Sequence, residues 1–420
     1  MMTILFAILG LIITFICVVA VHEFGHFIAA RMVGVKSEIF SIGFGKPLLR
    51  KTDRTGMVWQ VAALPIGGYC RFVGDENAAS LSSAPDGPPL PGSLRSASLV
   101  AQAWVAFAGP LANFILALLL FIGAASLSTT VSYPWTVSDV TPSANKVGFE
   151  PGDEIISVGE VQISSQTRWD DALAASDPSG VSSYVIQREG RLERVNGPRL
   201  DAAILDLVAP DMPGFEAGLR SGDRIKSVDG HPVNSWSDLQ KAVATSEGRS
   251  LSVSLERDEA SFQKLVTPRL HDGRWLIGLN SQPLLQIDER RLTLLEAIAS
   301  GTQKTGQVLT YTATGLTATL LGSGDLCELN GPITITRVAG QAIQLGPEIF
   351  LTFMAVISLG LGLLNLLPIP ILDGGHILSL AAEGVSGRPL GHVAKAVLFI
   401  AGVTGVAWLS IMALISDLTC

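Results

Sequence analysis

The stretch at residues 18–30 reads VVAVHEFGHFIAA and places a polar motif inside an apolar run. In the motif HExxH, His22 and His26 are four residues apart and therefore lie on one face of a helix. Two imidazoles so spaced can hold zinc, and Glu23 beside them can act as a base toward a water at the metal. Ionisable side chains are costly in a membrane-spanning helix, so their presence indicates function. A polar helix end at the membrane surface is the alternative, but Lys or Arg would serve that purpose better.

The composition is that of a membrane protein with a soluble insert. The chain has 420 residues, of which 48% are hydrophobic and 16% charged, whereas soluble chains carry about 25% charged residues. The shortage is uneven, since residues 130–345 have an ordinary soluble composition. The net charge of −8 and the lack of a basic stripe argue against a nucleic-acid partner.

Four stretches are long and apolar enough to span a bilayer, at residues 3–29, 99–126, 347–367 and 393–415. The first lacks a basic leading region and a small-residue cleavage site, so it is predicted to be a retained helix. Basic residues concentrate between the first two spans, at Arg31, Lys36, Lys46, Arg50, Lys51, Arg54, Arg71 and Arg95. This predicts a cytoplasmic loop there, with both termini and the insert on the outer side.

The insert contains an internal repeat. Residues 147–158 and 217–228 share the pattern small-G-apolar-x-x-G-D-x-I-x-S-V. Each copy resembles the glycine-rich turn before a strand in PDZ domains. The sequence therefore predicts two PDZ-like α+β domains, at residues 128–197 and 198–282. Such domains could bind peptides at a sheet edge, or only restrict access to the membrane site.

A catalytic zinc usually has three protein ligands, so a third must come from elsewhere in the chain. Glu38 is the nearest acid downstream, but it lies in a strand-like context. Asp373 is the better candidate, because Pro368 and Pro370 break the third span just before it. Irregular backbone at membrane depth is tolerated where it lines a polar cavity.

The combined motifs resemble the site-2 family of intramembrane zinc metalloproteases. They are HExxH, NxxPxPxxDGGH at residues 365–376, the PDZ-like insert, GPLANF at residues 109–114 and GPI at residues 331–333. The resemblance implies one Zn2+ per chain, held by His22, His26 and Asp373. It implies that Glu23 is general base and later proton donor to the leaving amine. Asn365, Gly43 and Pro368 are then predicted to bind substrate, and His376 to support the turn.

Residues 37–44 and 58–64 read as strands and are followed by a turn-rich segment at 65–69. The resemblance implies that residues 31–74 form a membrane-associated β-loop. A helical substrate must unwind before hydrolysis, and lipid offers its backbone no partners. We therefore expect an edge strand of this loop to clamp the unwound substrate. An ordinary cytoplasmic hairpin is the alternative.

The remaining divisions follow from these assignments. Residues 1–30 are the first membrane helix, 75–98 a linker and 99–127 the second helix. Residues 283–345 contain an amphipathic helix, predicted either to lie on the outer membrane face or to pack on the second insert domain. Residues 346–392 hold the third helix with its motif, and 393–420 the fourth. Cys17 is predicted to fill apolar space, and Cys327 and Cys420 could lie on an oxidising side without a defined pairing.

These expectations define a polytopic α-helical protein of the bacterial inner membrane, with its active site near the cytoplasmic side. We expect a zinc intramembrane endopeptidase that cuts a single-pass substrate after another protease has removed the outer domain of that substrate. The resemblance implies an anti-sigma factor in an envelope stress response as substrate, with remnant signal peptides as a second class and the insert as a size filter.

Two other classes of protein remain open. A membrane-anchored zinc protease of the soluble type would need its third ligand on a helix near HExxH. A non-enzymatic scaffold would bind no zinc.

Overall fold

The computed structural model describes residues 2–74, 90–140, 148–164, 167, 169–177, 181–210, 212–257, 260–271, 274–281, 284–320, 331–388 and 391–419. Most of the predicted linker at 75–98, together with Cys327 and Cys420, lies outside these residues. Two compact units are present, one comprising Met1–Ser128 with Leu292–Cys420 and the other Thr129–Arg291. They correspond to the predicted membrane part and insert.

The helices of the membrane unit are α1 (Met2–Met32), α2 (Leu99–Leu127), α6 (Leu294–Leu320), α7 (Pro332–Gln344), α8 (Pro347–Asn365), α9 (Asp373–Ser386) and α10 (His392–Thr419). A short 3-10 turn precedes α2 at Leu94–Ser96. Among the described residues, four segments are long and apolar enough to cross a membrane: Leu5–Met32, Leu99–Leu127, Pro347–Asn365 and Val397–Asp417. The four predicted spans agree with these segments.

Helix α2 is the centre of the membrane unit, since it packs against both α1 and α8. Small and apolar side chains form the contact with α8: Ala117, Phe121, Ala355 and Leu359 are buried together. A polar bond also crosses it, donated by the Ser358 hydroxyl to the Asn113 backbone carbonyl at 2.9 Å. The helix that leads to Asp373 is thereby fixed to α2.

The β-loop consists of strands β1 (Ser37–Thr52) and β2 (Val58–Phe72). Residues 39–42 of β1 pair with 68–71 on one side and with 58–61 on the other, while 49–52 pair with 58–61 again. The segment at 65–69, predicted to be turn-rich, is therefore part of β2. Aromatic rings fasten the loop to α1, with centroids of Phe27 and Trp59 5.4 Å apart.

The turn between β1 and β2 is closed by Asp53. Its carboxylate accepts hydrogen bonds from the Thr55 hydroxyl, the Trp59 indole and the backbone N–H groups of Thr55 and Met57. The bonds from Thr55 and Trp59 lower the pKa of Asp53 to about 2. The carboxylate is thus ionised, and the turn closed, throughout the physiological pH range.

The insert contains strands β3 (Thr129–Val131), β4 (Trp135–Val140), β5 (Glu154–Val158), β6 (Val161–Gln162), β7 (Val181–Arg188), β8 (Arg191–Pro198), β9 (Leu205–Val208), β10 (Arg224–Val228), β11 (His231–Pro232), β12 (Leu251–Arg257), β13 (Ala260–Val266), β14 (Arg269–His271), β15 (Arg274–Leu276), β16 (Leu279–Ser281), β17 (Leu285–Ile287) and β18 (Glu289–Arg291). Its helices are α3 (Trp169–Ala175), α4 (Pro213–Glu216) and α5 (Trp236–Ala244). One sheet has the order β17-β4-β5-β7-β8, and a second has β11-β10-β12-β13.

Two hydrophobic cores lie in the insert, one around Trp135, Phe149 and Tyr184, the other around Leu219, Ile225 and Leu255. Strands β17 and β18 lie beyond residue 282, the predicted end of the second insert domain, and within the segment 283–345 that is predicted to contain an amphipathic helix. They pair instead with β4 and β3, at the start of the insert. The chain therefore returns to the first sheet after completing the second.

The repeat carries the same ion pair twice. Asp153 is buried, and Arg188 donates to both its carboxylate oxygens at 2.7 and 2.8 Å. Asp223 is buried likewise, and Arg257 donates to it at 2.6 and 2.7 Å. Removing one partner of a buried pair costs about 3–5 kcal/mol. Each arginine therefore holds its glycine-rich turn against the neighbouring strand hairpin.

Candidate metal centre

Three potential ligands meet from opposite ends of the chain. His22 and His26 lie on one face of α1, and Asp373 is the first residue of α9. Helix α8 ends at Asn365, and irregular backbone leads from there to Asp373. The exposed fractions of His22, His26 and Asp373 are 7%, 8% and 8%. The site is thus buried and assembled by the break after α8.

The ligand atoms converge on one point. The two Nε2 atoms of His22 and His26 are 3.2 Å apart. The carboxylate oxygens of Asp373 lie 3.2 Å from Nε2 of His22 and 3.5 Å from Nε2 of His26. Zinc bonds of about 2.0–2.2 Å in a tetrahedron require ligand atoms roughly 3.3–3.5 Å apart. The spacing therefore fits a zinc ion.

A buried carboxylate oxygen that lacks a hydrogen-bond donor supports the same conclusion. Oδ2 of Asp373 is buried, and no described group donates a hydrogen bond of good geometry to it. A buried charge of this kind is usually paired or coordinates a metal. Two imidazoles and a carboxylate are a ligand set that suits zinc and leaves a fourth position open.

Two polar contacts from α2 hold the histidines. Nδ1 of His26 lies 2.7 Å from the Val105 carbonyl, which can only accept, so Nδ1 donates and Nε2 is left to the metal. Nδ1 of His22 lies 3.2 Å from the carboxamide of Asn113. Asn113 belongs to the GPLANF motif at residues 109–114, but the sequence predicts no contact of a histidine with Asn113 or Val105. A lone Asn in the apolar run of α2 was the signal that could have revealed Asn113.

Gly109 leaves space for the imidazole rings. A Cβ atom on Gly109 would collide with Nε2 of His26 and would lie 2.8 Å from Cε1 of His22. Close approach of α2 to the ligand atoms therefore requires a residue without a side chain at this position.

Glu23 is half-buried beside the ligands, and strand β2 passes it. A Cβ atom built on Gly68 would lie 3.3 Å from Cγ of Glu23 and 2.8 Å from the Ser41 carbonyl. The backbone of β2 at residues 67–69 therefore runs directly past the predicted base. Residues 68 and 69 of this segment pair with Ile42 and Ser41 of β1.

The other predicted residues lie in different segments of the membrane unit. Asn365 is the last residue of α8 and half-buried, Pro368 is exposed in the irregular segment, and Gly43 is buried within β1. Glu38, the competing third ligand, pairs with Arg71 at 3.0 Å instead. The backbone N–H of His376 donates to the Leu372 carbonyl in the first turn of α9.

A protein-family model matches residues 10–409, and its description is Peptidase family M50. The match includes α1, α2, α8 and α9, and therefore all three ligand positions.

Similar proteins extend over nearly the whole chain. A regulator of sigma E protease from Haemophilus influenzae is 31% identical and aligns with 99% of each chain. Regulator of sigma-E protease RseP from Escherichia coli is 32% identical over 93% of each chain. A Pasteurella multocida protein, whose name describes a zinc metalloprotease, is also 32% identical over 93% of each chain.

Proposed function

Because this chain belongs to peptidase family M50 and is a metalloendopeptidase, we propose that it hydrolyses a peptide bond within the membrane span of a single-pass protein. The observation that carries the proposal is the convergence of His22, His26 and Asp373 in an apolar helical unit. One Zn2+ per chain would be held by these three residues.

A zinc ion held by His22, His26 and Asp373 would supply Lewis-acid chemistry toward the scissile carbonyl and the attacking water. Glu23 takes the proton of that water and later delivers it to the leaving amine. The burial of the ligands supports this role for Glu23, because electrostatic effects are stronger where water is excluded. Asn365 is proposed to hold the substrate backbone. Gly43 and Pro368 are proposed to lie next to the bound substrate.

The β-loop is proposed to bind the unwound substrate. Residues 67–69 lie at an edge of the loop and pass Glu23, so a strand added there would bring its backbone to the base. Backbone groups released from the substrate helix would then find partners on β2, which lipid cannot offer.

We further propose that another protease removes the outer domain of the substrate before the substrate enters the active site. The names of the relatives refer to sigma-E regulation, which favours an anti-sigma factor as substrate in an envelope stress response, with remnant signal peptides as a second class. Residues 129–291, as PDZ-like domains, would exclude substrates that retain a folded outer domain, and could also bind peptides. The basic loop between α1 and α2 supports a bacterial inner-membrane topology in which the insert and both termini are periplasmic.

The direct test is to map the bond that is cut. Purified full-length protein in detergent is incubated with a single-pass substrate lacking its outer domain, and the products are identified by mass spectrometry. We expect one cut within the apolar span, and none with Glu23→Gln, although that variant keeps its zinc. Glu38→Gln serves as the matched control and should cut normally. Cleavage only outside the span, or full activity of Glu23→Gln, would refute the proposal.

A further inference from the structure

The carboxamide of Asn113 is buried next to a metal ligand and is incompletely bonded. Asn113 is fully buried in α2, and its Nδ2 lies 3.2 Å from Nδ1 of His22. Its Oδ1 is buried too, and no described group donates a hydrogen bond to it. A buried polar atom without a partner is costly, so this pair of observations calls for a physical explanation.

The position of the His22 proton supplies the explanation. If Nδ2 of Asn113 donates to Nδ1 of His22, the ring proton must sit on Nε2. Nε2 is 3.2 Å from Nε2 of His26 and 3.2 Å from Oδ2 of Asp373, so that proton would point into the centre of the ligand set. A ring nitrogen that carries a proton cannot bind a metal.

A half-turn of the carboxamide about Cβ–Cγ exchanges Oδ1 and Nδ2 without changing its shape. Oδ1 then accepts a hydrogen bond from Nδ1–H of His22, and the Nε2 lone pair faces the other two ligands. After the half-turn, the NH2 group rather than Oδ1 lacks a hydrogen-bond partner. Metal ligation by Nε2 offsets that cost, because it satisfies the buried ligands together.

The backbone at Asn113 is itself held in place. The Ser358 hydroxyl of α8 donates to the Asn113 carbonyl at 2.9 Å, and both groups are buried. Asn113 thus receives a bond from the helix that leads to Asp373 and directs its side chain toward α1. Nδ1–H of His26 donates the corresponding bond to the Val105 carbonyl, which fixes the same tautomer.

We propose that Asn113 is a positioning residue, which accepts a hydrogen bond from Nδ1–H of His22 and so holds this imidazole in the tautomer that binds zinc through Nε2. The inference rests on the zinc site proposed above. It predicts that an acceptor at position 113 is needed for zinc affinity, whereas a donor is not.

The test measures the zinc affinity of the purified full-length protein in detergent, by competition with a chromophoric chelator. Asn113→Leu removes both polar atoms at similar volume, and Asn113→Asp keeps acceptor atoms only. We expect Asn113→Leu to bind zinc about 10–100-fold more weakly, and Asn113→Asp to stay within about threefold of wild type, as carboxylates commonly orient zinc-bound histidines. Thr14→Val is the control, since the Thr14 hydroxyl is equally buried but bonds its own helix at Gly10.

The possible outcomes distinguish a failure of this inference from a failure of the proposed zinc site. Wild-type affinity in Asn113→Leu would overturn the inference alone. Equal weakening in Asn113→Leu and Asn113→Asp would also overturn it, because the role would then be one of packing. A wild-type chain that binds no zinc, or a His22→Ala variant that retains it, would overturn the zinc site and the inference together.

A second measurement does not depend on the folding of variants. The 15N spectrum of zinc-loaded wild type with labelled histidine, assigned by comparison with His22→Ala, should show His22 protonated on Nδ1. Ligation through Nδ1 with a proton on Nε2 would contradict the proposal.

Discussion

At the scale of the residue, the free energy of zinc binding is to be compared with the cost of burying the three ionisable side chains. His22, His26 and Asp373 are all nearly inaccessible to solvent. Ionisable groups within a membrane segment cost on the order of 3 kcal/mol each on insertion scales. Structural zinc binding releases about 10–16 kcal/mol at neutral pH in small model sites. Ligation can therefore offset the cost of burying three such groups, which packing alone does not.

Gly109→Ala tests how closely α2 must approach the ligands. The added methyl group would collide with Nε2 of His26 and crowd His22, so the rings must shift. Because a displacement of about 1 Å can cost roughly a hundredfold in rate, we expect kcat/KM to fall by on the order of a hundredfold. Cleavage of the truncated substrate and zinc content measure the effect.

Gly123→Ala is the matched control on the same helix. Its added Cβ would meet only Leu351, at 3.7 Å, which is ordinary van der Waals contact. Normal activity in Gly109→Ala, or an equal loss in Gly123→Ala, would show that space next to the imidazoles is not what matters.

The three candidate ligands can be named from the sequence, whereas the groups that contact them cannot. The spacing of His22 and His26 identifies a helix face by itself, and Asp373 follows a break that Pro368 and Pro370 announce. Asn113 is different, because an amide in an apolar helix shows that a partner must exist but not which one. The partner lies 91 positions away in sequence, and only the packing of α1 on α2 identifies it.

At the scale of the element, the β-loop packs on α1 and places β2 beside Glu23. Phe27, Phe40 and Met57 are buried together at the end of α1, with Trp59 packed against them. This apolar contact fixes the loop, so that β2 passes Glu23. A strand edge held by its own core can receive a substrate strand without refolding.

Tyr69→Pro tests the edge of β2. Proline removes a backbone donor and disfavours strand pairing, so we expect loss of cleavage with unchanged zinc content. Arg50→Pro is the control, since residue 50 lies on the segment at the other side of the loop and pairs with Gln60. Retained cleavage in Tyr69→Pro would refute the clamp, and equal loss in both variants would indicate a general defect in folding of the loop.

The elements show where local patterns mislead. Residues 65–69 contain Pro and two Gly and therefore resemble a turn, yet β1 pairs with residues on both sides of them and draws them into a strand. Residues 284–291 lack a strong strand signal of their own, and their pairing with β3 and β4 is non-local. Long-range pairing of this kind overrides local propensity.

At the scale of the whole molecule, the chain is a membrane unit with a soluble unit inserted into it. The ends of the insert are adjacent, since Arg291 pairs with Thr129. In the membrane unit, the N–H of Leu292 donates to the Ser128 carbonyl at 3.4 Å. Helices α2 and α6 can therefore be joined directly, and the insert can be removed without stretching the membrane unit.

Replacing residues 129–291 with a short Gly/Ser linker tests the size filter. We expect the shortened protein to cut the truncated substrate at about the wild-type rate, and to gain cleavage of a substrate that retains its periplasmic outer domain. Rates for both substrates are compared in one membrane preparation. An intact substrate that remains uncut, while the truncated one is processed, would refute the filter.

We propose that two distant parts of the chain build one zinc site. The zinc content and cleavage activity of purified Asp373→Ala, beside wild type and Glu38→Gln, test this proposal. We predict one zinc per chain and normal cleavage in wild type and Glu38→Gln, and loss of both in Asp373→Ala. If Asp373→Ala keeps its zinc and its activity, the third ligand lies elsewhere and the account is wrong.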